Sequence, residues 1–146
     1  MGGTGLELVT SREPDGHRTC RRLVMRLPPP ALDSRPGDDD TVLYKTRFSG
    51  FYRTELDELL KGSGMKHLIV TGCTTSICVE STIRDAFFRD YHCVLLEDCT
   101  AEPMGASLSR SNHDATILLV ERIFGSVSTS SNFIDALHAV EAIAPL

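Results

Sequence analysis

From Thr41 onward the apolar positions keep two rhythms. Short aliphatic runs, TVLYK (Thr41 to Lys45), HLIVTG (His67 to Gly72) and CVLLED (Cys93 to Asp98), are rich in β-branched and aliphatic residues and close on polar residues or glycine, which predicts strands. Between them apolar residues recur at three- and four-residue steps. Leu56, Leu59 and Leu60 predict one helix, and Val79, Ile83, Ala86 and Phe87 a second. Asp114 to Phe124 is apolar nearly all round, as a helix well covered by neighbours would be, and Gly125 is placed to end it. SVSTS then reads as a short strand before a last helix marked by Phe133, Leu137, Val140 and Ala144. Strands alternating with helices are the pattern of βαβ units around a parallel sheet.

The N-terminal part has a different texture. GLELVT is a further strand candidate, but Ser11 to Asp40 is crowded with Pro, Arg, Gly and Asp and predicts a long irregular loop. Its basic cluster, Arg18, Arg21, Arg22 and Arg26, has no interleaved aromatic residues and reads as a solvated surface.

Length and composition narrow the function classes. At 146 residues the chain fits one domain, 1–146, and its 41% hydrophobic and 24% charged content is that of a folded protein. Fifteen basic against twenty acidic side chains give a net charge of −5, which offers no field for a polyanion, so no nucleic-acid partner is expected. No apolar run approaches the roughly 20 residues that cross a bilayer, and the N-terminus lacks a leader pattern. A cytoplasmic protein without a membrane partner is expected. The five cysteines, Cys20, Cys73, Cys78, Cys93 and Cys99, form no CxxC pair, and the five histidines show no ligand spacing, so neither a disulfide framework nor a metal site is expected. No cofactor is implied.

Two places carry candidate chemistry. In HLIVTGCTTSICVESTIRDAFF a strand ends at Gly72, a polar turn follows, and Cys78 falls where an amphipathic helix begins. Unpaired N–H groups and the helix dipole there favour a thiolate and can hold an oxyanion. A buried structural cysteine is the plain alternative. In VLYKTRFSGFY, Lys45 closes a strand whose carboxyl end would open on the same crevice, where its charge would favour the thiolate. Phe48, Phe51 and Tyr52 are either a wall for a small substrate or packing residues.

These residues together resemble the isochorismatase-like cysteine hydrolase superfamily, and within it the ureidoacrylate amidohydrolase type. The matching elements are Lys45, Arg47 to Phe51 (RFSGF), Thr71 to Thr82 (TGCTTSICVEST), Arg84 with Asp85, and Glu97 with Asp98; the resemblance is strongest over 41–140. It implies a doubly wound, Rossmann-like α/β fold with a parallel sheet and an Asp, Lys, Cys triad. Carried onto this chain, Cys78 is the nucleophile that forms an acyl-enzyme and Lys45 the cation that supports it. The N–H groups of Thr74 and Cys78 form the oxyanion hole after a cis Cys73–Thr74 peptide. Arg47, Phe48, Ser49, Phe51, Tyr52 and Thr75 line the substrate.

One element departs from the pattern. The family's first strand ends in D-x-Q, whose aspartate is the general base, whereas GLELVTSREPDGHR resembles the family's second strand. The chain is thus expected to be an N-terminally truncated or rearranged member, with the ladder groups beside HLIVTG unpaired. Glu7, Asp15 and Asp98 are the acidic residues that could substitute. The implied function is cleavage of a C–N bond in a small amide or ureido compound by way of a thioester, because a sulfur nucleophile suits acyl transfer. The alternatives are a catalytically inactive member serving as a binding or oligomerisation module, and a redox sensor using Cys73 and Cys78. Relatives assemble through the sheet's helices, so a homo-oligomer is compatible with the resemblance.

Overall fold

The computed structural model describes residues 4–8, 21–26 and 41–143, with side chains from 41 to 140. Its strands are β1 (Thr4–Leu8), β2 (Arg21–Arg26), β3 (Thr41–Lys45), β4 (His67–Cys73), β5 (His92–Ala101) and β6 (Ser126–Ser128). The helices are α1 (Leu56–Gly62), α2 (Glu80–Phe87), α3 (Asn112–Leu119) and α4 (Ser130–Ile143). Short π-helical turns, Thr75–Val79 and Val120–Phe124, lead into α2 and out of α3. The strands form one six-stranded sheet in the order β3-β2-β1-β4-β5-β6. Among the described residues no helix is long and apolar enough to cross a membrane.

The α/β expectation holds, with two corrections near the N-terminus. The segment read as loop contains β2, which pairs antiparallel with both β1 and β3, so the sheet is parallel only at its β1–β4, β4–β5 and β5–β6 junctions. Leu23, Val24 and Met25 form a short run flanked by arginines, and pairing on both edges makes a strand of it where local pattern does not. A parallel return would need a crossover, and neither 9–20 nor 27–40 has a helical period to supply one. The second correction concerns β4, whose outer ladder is paired: β1 lies beside it in parallel register from Thr4 opposite Leu68 to Leu8 opposite Gly72. Asp15 and the remainder of 9–20 and 27–40 lie outside the described residues.

The core explains why these segments are what they are. Leu68 and Val70 of β4, Cys93 and Leu95 of β5, Leu56 and Leu60 of α1, and Val79, Ile83 and Ala86 at the start and along α2 form one buried cluster with Phe51, Tyr91, Val120 and Phe124. Burial of apolar area at about 25 cal/mol per Å² drives this assembly. The C-terminal helices are less covered than the pattern predicts. Leu118 and Ile123 are exposed, so the all-round apolar character of 114–124 does not mark burial. Gly125 also acts differently from a left-handed cap: its φ of 174° is extended, and a Cβ there would stand 2.5 Å from the Cys93 carbonyl oxygen. Glycine is required by the close approach to β5.

Candidate active site

The carboxyl edge of the sheet gathers the predicted residues. β4 ends at Cys73, just after Gly72, whose φ of 109° suits glycine, and the chain passes through a cis Cys73–Thr74 peptide into the π-helical turn. The N–H groups of Ile77, Cys78 and Val79 all donate to the Thr74 carbonyl, at 3.1, 3.0 and 3.2 Å. Cys78 therefore sits inside the turn that precedes α2, as its fourth residue and two residues before Glu80. Its side chain is fully buried, whereas Cys73 and Cys99 are exposed. Burial of Cys93 in the core pushes its thiol up to about 12.

Lys45 is also fully buried, at the end of β3. Because β2 reverses direction twice, β3 runs parallel to β4, and both carboxyl ends lie on the same edge. The Lys45 ammonium donates to the carbonyls of Phe48 at 2.7 Å and Arg47 at 3.2 Å, which curls the following loop back over it. That loop is tied to the cysteine turn. The Gly50 N–H donates to Thr82 Oγ1 at 2.9 Å, and the same hydroxyl donates to the Cys78 carbonyl at 2.7 Å.

The loop residues take separate places. Phe51 is a core residue, stacked on Tyr91 with the Arg89 guanidinium over its ring. Phe48 and Tyr52 are exposed, as is Arg47, and Ser49 is buried with its hydroxyl accepting from the Phe51 N–H. Thr75 is buried, and its hydroxyl shares a 3.0 Å hydrogen bond with His113 Nδ1. Glu80 and Arg84 of the motif make structural contacts. Glu80 accepts from Arg84 Nε and Nη2 and from Thr116 Oγ1, which fastens α2 to α3, and Arg84 covers the Phe124 ring.

Sequence reasoning missed Glu102 and His113. Glu102 is buried just past β5; one carboxylate oxygen accepts from the Ser76 N–H at 3.2 Å and from the Ser76 hydroxyl, the other from the Met104 N–H at 2.9 Å. Burial alone would raise its pKa, but these hydrogen bonds and the nearby His113 outweigh it and hold the carboxyl below its ordinary value. Neither residue belongs to a local motif: the β4–β5 register brings Glu102 to the cysteine turn, and His113 reaches it from the start of α3. Of the acidic substitutes, Asp98 is occupied elsewhere: its carboxylate accepts from the Ser130 N–H at 2.8 Å and the Ser130 hydroxyl at 2.5 Å, capping α4. Register slips between Val70 and Gly72 give β5 the extra residues that aim Asp98 that way. Glu7 is placed in β1 opposite Thr71, near the carboxyl end of β4.

The chain and its fold have counterparts among known proteins. The ureidoacrylate amidohydrolase RutB of Variovorax paradoxus (strain S110) is 44% identical over 102 residues, 70% of this chain and 39% of that protein. An isochorismatase-like hydrolase from Alkaliphilus metalliredigens superposes with a TM-score of 0.65 at 32% identity, over 72% of this chain and 52% of that one. A cysteine hydrolase from Pseudomonas syringae pv. phaseolicola 1448A does so equally, at 30% identity over the same shares. The chain thus spans about two fifths of its curated relative and half of each solved chain. The isochorismatase domain model matches residues 10–132, from before β2 into α4 and so across most of the sheet and the cysteine turn, and the chain belongs to the isochorismatase family.

Proposed function

We propose that this chain hydrolyses a C–N bond of a small amide or ureido compound, with Cys78 as nucleophile. The observation that carries the reading is that the loop closing over the buried Lys45 ammonium through the Phe48 carbonyl is tied, by the Gly50 N–H and the Thr82 hydroxyl, to the backbone carbonyl of the buried Cys78. The Cys78 thiolate attacks the substrate carbonyl, a C–S bond forms, and the C–N bond breaks as the leaving nitrogen takes up the proton given by sulfur. Water then cleaves the thioester, releasing the acid and restoring the thiol. The amides of Thr74 and Cys78 stabilise the oxyanion in both steps. The Cys78 amide, which donates to the Thr74 carbonyl at 3.0 Å beside the Ile77 and Val79 amides, would leave that acceptor to meet the oxyanion. Arg47, Phe48 and Tyr52, exposed on the loop, together with Ser49 and Thr75, set which substrate is held. The similarity to RutB supports a ureidoacrylate-type amide as the first compound to try. Lys45 supplies charge, and Glu7, in β1 opposite Thr71, is the acidic residue to replace first in the search for a proton carrier.

Incubation with a ureidoacrylate-type amide, following product and intact mass together, tests this. Turnover, or a mass adduct that maps to Cys78 and vanishes in Cys78→Ala, supports it. Absence of both product and adduct in a protein with a cooperative melt overturns it in favour of a non-catalytic binding or oligomerisation module.

A further inference from the structure

The first two residues of the cysteine turn are held from two sides by groups that the acyl-transfer reading leaves without a role. Ser76 is the second residue of the turn, and its N–H is one of the donors a helix start leaves without an intrahelical partner. Glu102 takes that N–H and the Ser76 hydroxyl on one oxygen, while its other oxygen is anchored by the Met104 N–H. Thr75, the adjacent residue, is bonded to His113 at the start of α3. The strand register explains why Glu102 can reach. Ala101 pairs with Cys73, so the next residue of β5's exit stands level with Thr74, the residue whose amide follows the cis bond.

A carboxylate anchored at both oxygens is a rigid support. The Ser76 N–H is spent on it and so is unavailable to a substrate oxygen; the oxyanion donors are the Thr74 and Cys78 amides that the proposed function assigns. Moving Ser76 would move Thr74 and Ile77 with it, since Thr74 closes the turn through its carbonyl. Small displacements matter here, because a misplacement of about 1 Å in a reacting geometry can cost ~10²-fold in rate.

We propose that Glu102 is a positioning residue for oxyanion formation: by clamping Ser76, with His113 steadying Thr75, it fixes the amides of Thr74 and Cys78 where the carbonyl oxygen of an acylating substrate becomes negative. The proposal rests on Cys78 being the nucleophile. It does not require any particular amide to be the natural substrate.

Two reactions of the same sulfur separate this role from a merely structural one. With p-nitrophenyl acetate, the thiolate adds to the carbonyl through an oxyanion, the C–S bond forms and p-nitrophenolate leaves. With iodoacetamide, the thiolate displaces iodide at carbon and no oxyanion develops. Access to the sulfur and its ionisation enter both rates, so their ratio reports the oxyanion donors. Both rates are read at Cys78 by peptide mapping in the full chain, for the wild type, Glu102→Gln, Glu102→Asp and Ser76→Ala. The expected result is that Glu102→Gln lowers acylation by tenfold or more while alkylation changes by less than twofold, that Ser76→Ala shows a smaller loss in the same direction, and that Glu102→Asp recovers part of it. Acylation unchanged in Glu102→Gln, or both rates falling by the same factor, overturns the proposal. If Glu102→Gln does not melt cooperatively, Ser76→Ala decides alone by the same criterion. A wild-type Cys78 that reacts with neither reagent instead overturns the nucleophile assignment, and this proposal with it.

Discussion

Thr82 offers the sharpest test of how the lysine loop and the cysteine turn are joined. Its hydroxyl, fully buried, accepts the Gly50 N–H at 2.9 Å and donates to the Cys78 carbonyl at 2.7 Å. Thr82→Val keeps the shape and removes both bonds. The Cys78 carbonyl remains inside a helical turn, but the Gly50 N–H, in a buried stretch of loop, loses its acceptor; leaving such a donor unsatisfied costs about 1–3 kcal/mol. Thr82→Ser keeps the hydroxyl and loses one methyl, for about 1 kcal/mol of burial and cavity. The valine variant is therefore expected to be the less stable of the two, against a total stability of order 5–15 kcal/mol. Urea unfolding followed by circular dichroism reads this as a lower midpoint at unchanged slope. The hydroxyl bridge also sets the loop against the cysteine, so Thr82→Val should raise KM for an amide substrate more than Thr82→Ser does. Equal stability of Thr82→Val and wild type, with serine the worse substitution, would show that the methyl group and not the bridge is what the site uses.

Three further outcomes follow from particular residues. Lys45→Met is expected to lower the acylation rate at Cys78 by tenfold or more, whereas Lys61→Met, which removes only an exposed pair with Asp57, should stay within twofold; equal effects in parallel acylation assays would mean that the buried ammonium does not serve the sulfur. Native Cys93 should resist iodoacetamide at pH 8 while exposed Cys73 and Cys99 are labelled, because burial lifts its thiol to about 12; labelling of Cys93 as fast as Cys73 in mass-mapped digests would contradict this. Asp98 is held below its ordinary value of 3.8, first by the Ser130 hydroxyl and then by the Ser130 amide, so its cap on α4 is fully present above that value and is lost as the pH falls through the lower folded one. Hydrogen exchange at the Ser130 amide should accordingly accelerate, relative to the intrinsic rate, only in strong acid, and Asp98→Asn should remove that acid dependence; an unchanged profile in the variant would refute the cap.

The sequence by itself determined the repeating unit and the chemistry it could carry. Runs such as His67 to Gly72 and Cys93 to Asp98 are strands because aliphatic and β-branched residues pack on a buried sheet, and Leu56, Leu60, Ile83 and Ala86 are buried because their spacing puts them on one helix face. The TGCTTSICVEST motif announced the turn that holds Cys78 for the same local reason. What sequence could not decide was anything that depends on pairing across the sheet. Arg21 to Arg26 is a strand only because β1 and β3 flank it, and Phe51 takes a core place against Tyr91 where Phe48 and Tyr52, two neighbours in the same loop, stay exposed. Gly125 is fixed by a carbonyl of β5 that no local pattern names. Glu102 and His113 meet Ser76 and Thr75 across 26 and 38 residues of chain, and Asp98 leaves the cysteine edge for α4 across 32. Local periodicity is written in neighbouring residues, whereas these contacts arise from strand register and from where each connection returns the chain, which only the folded sheet sets.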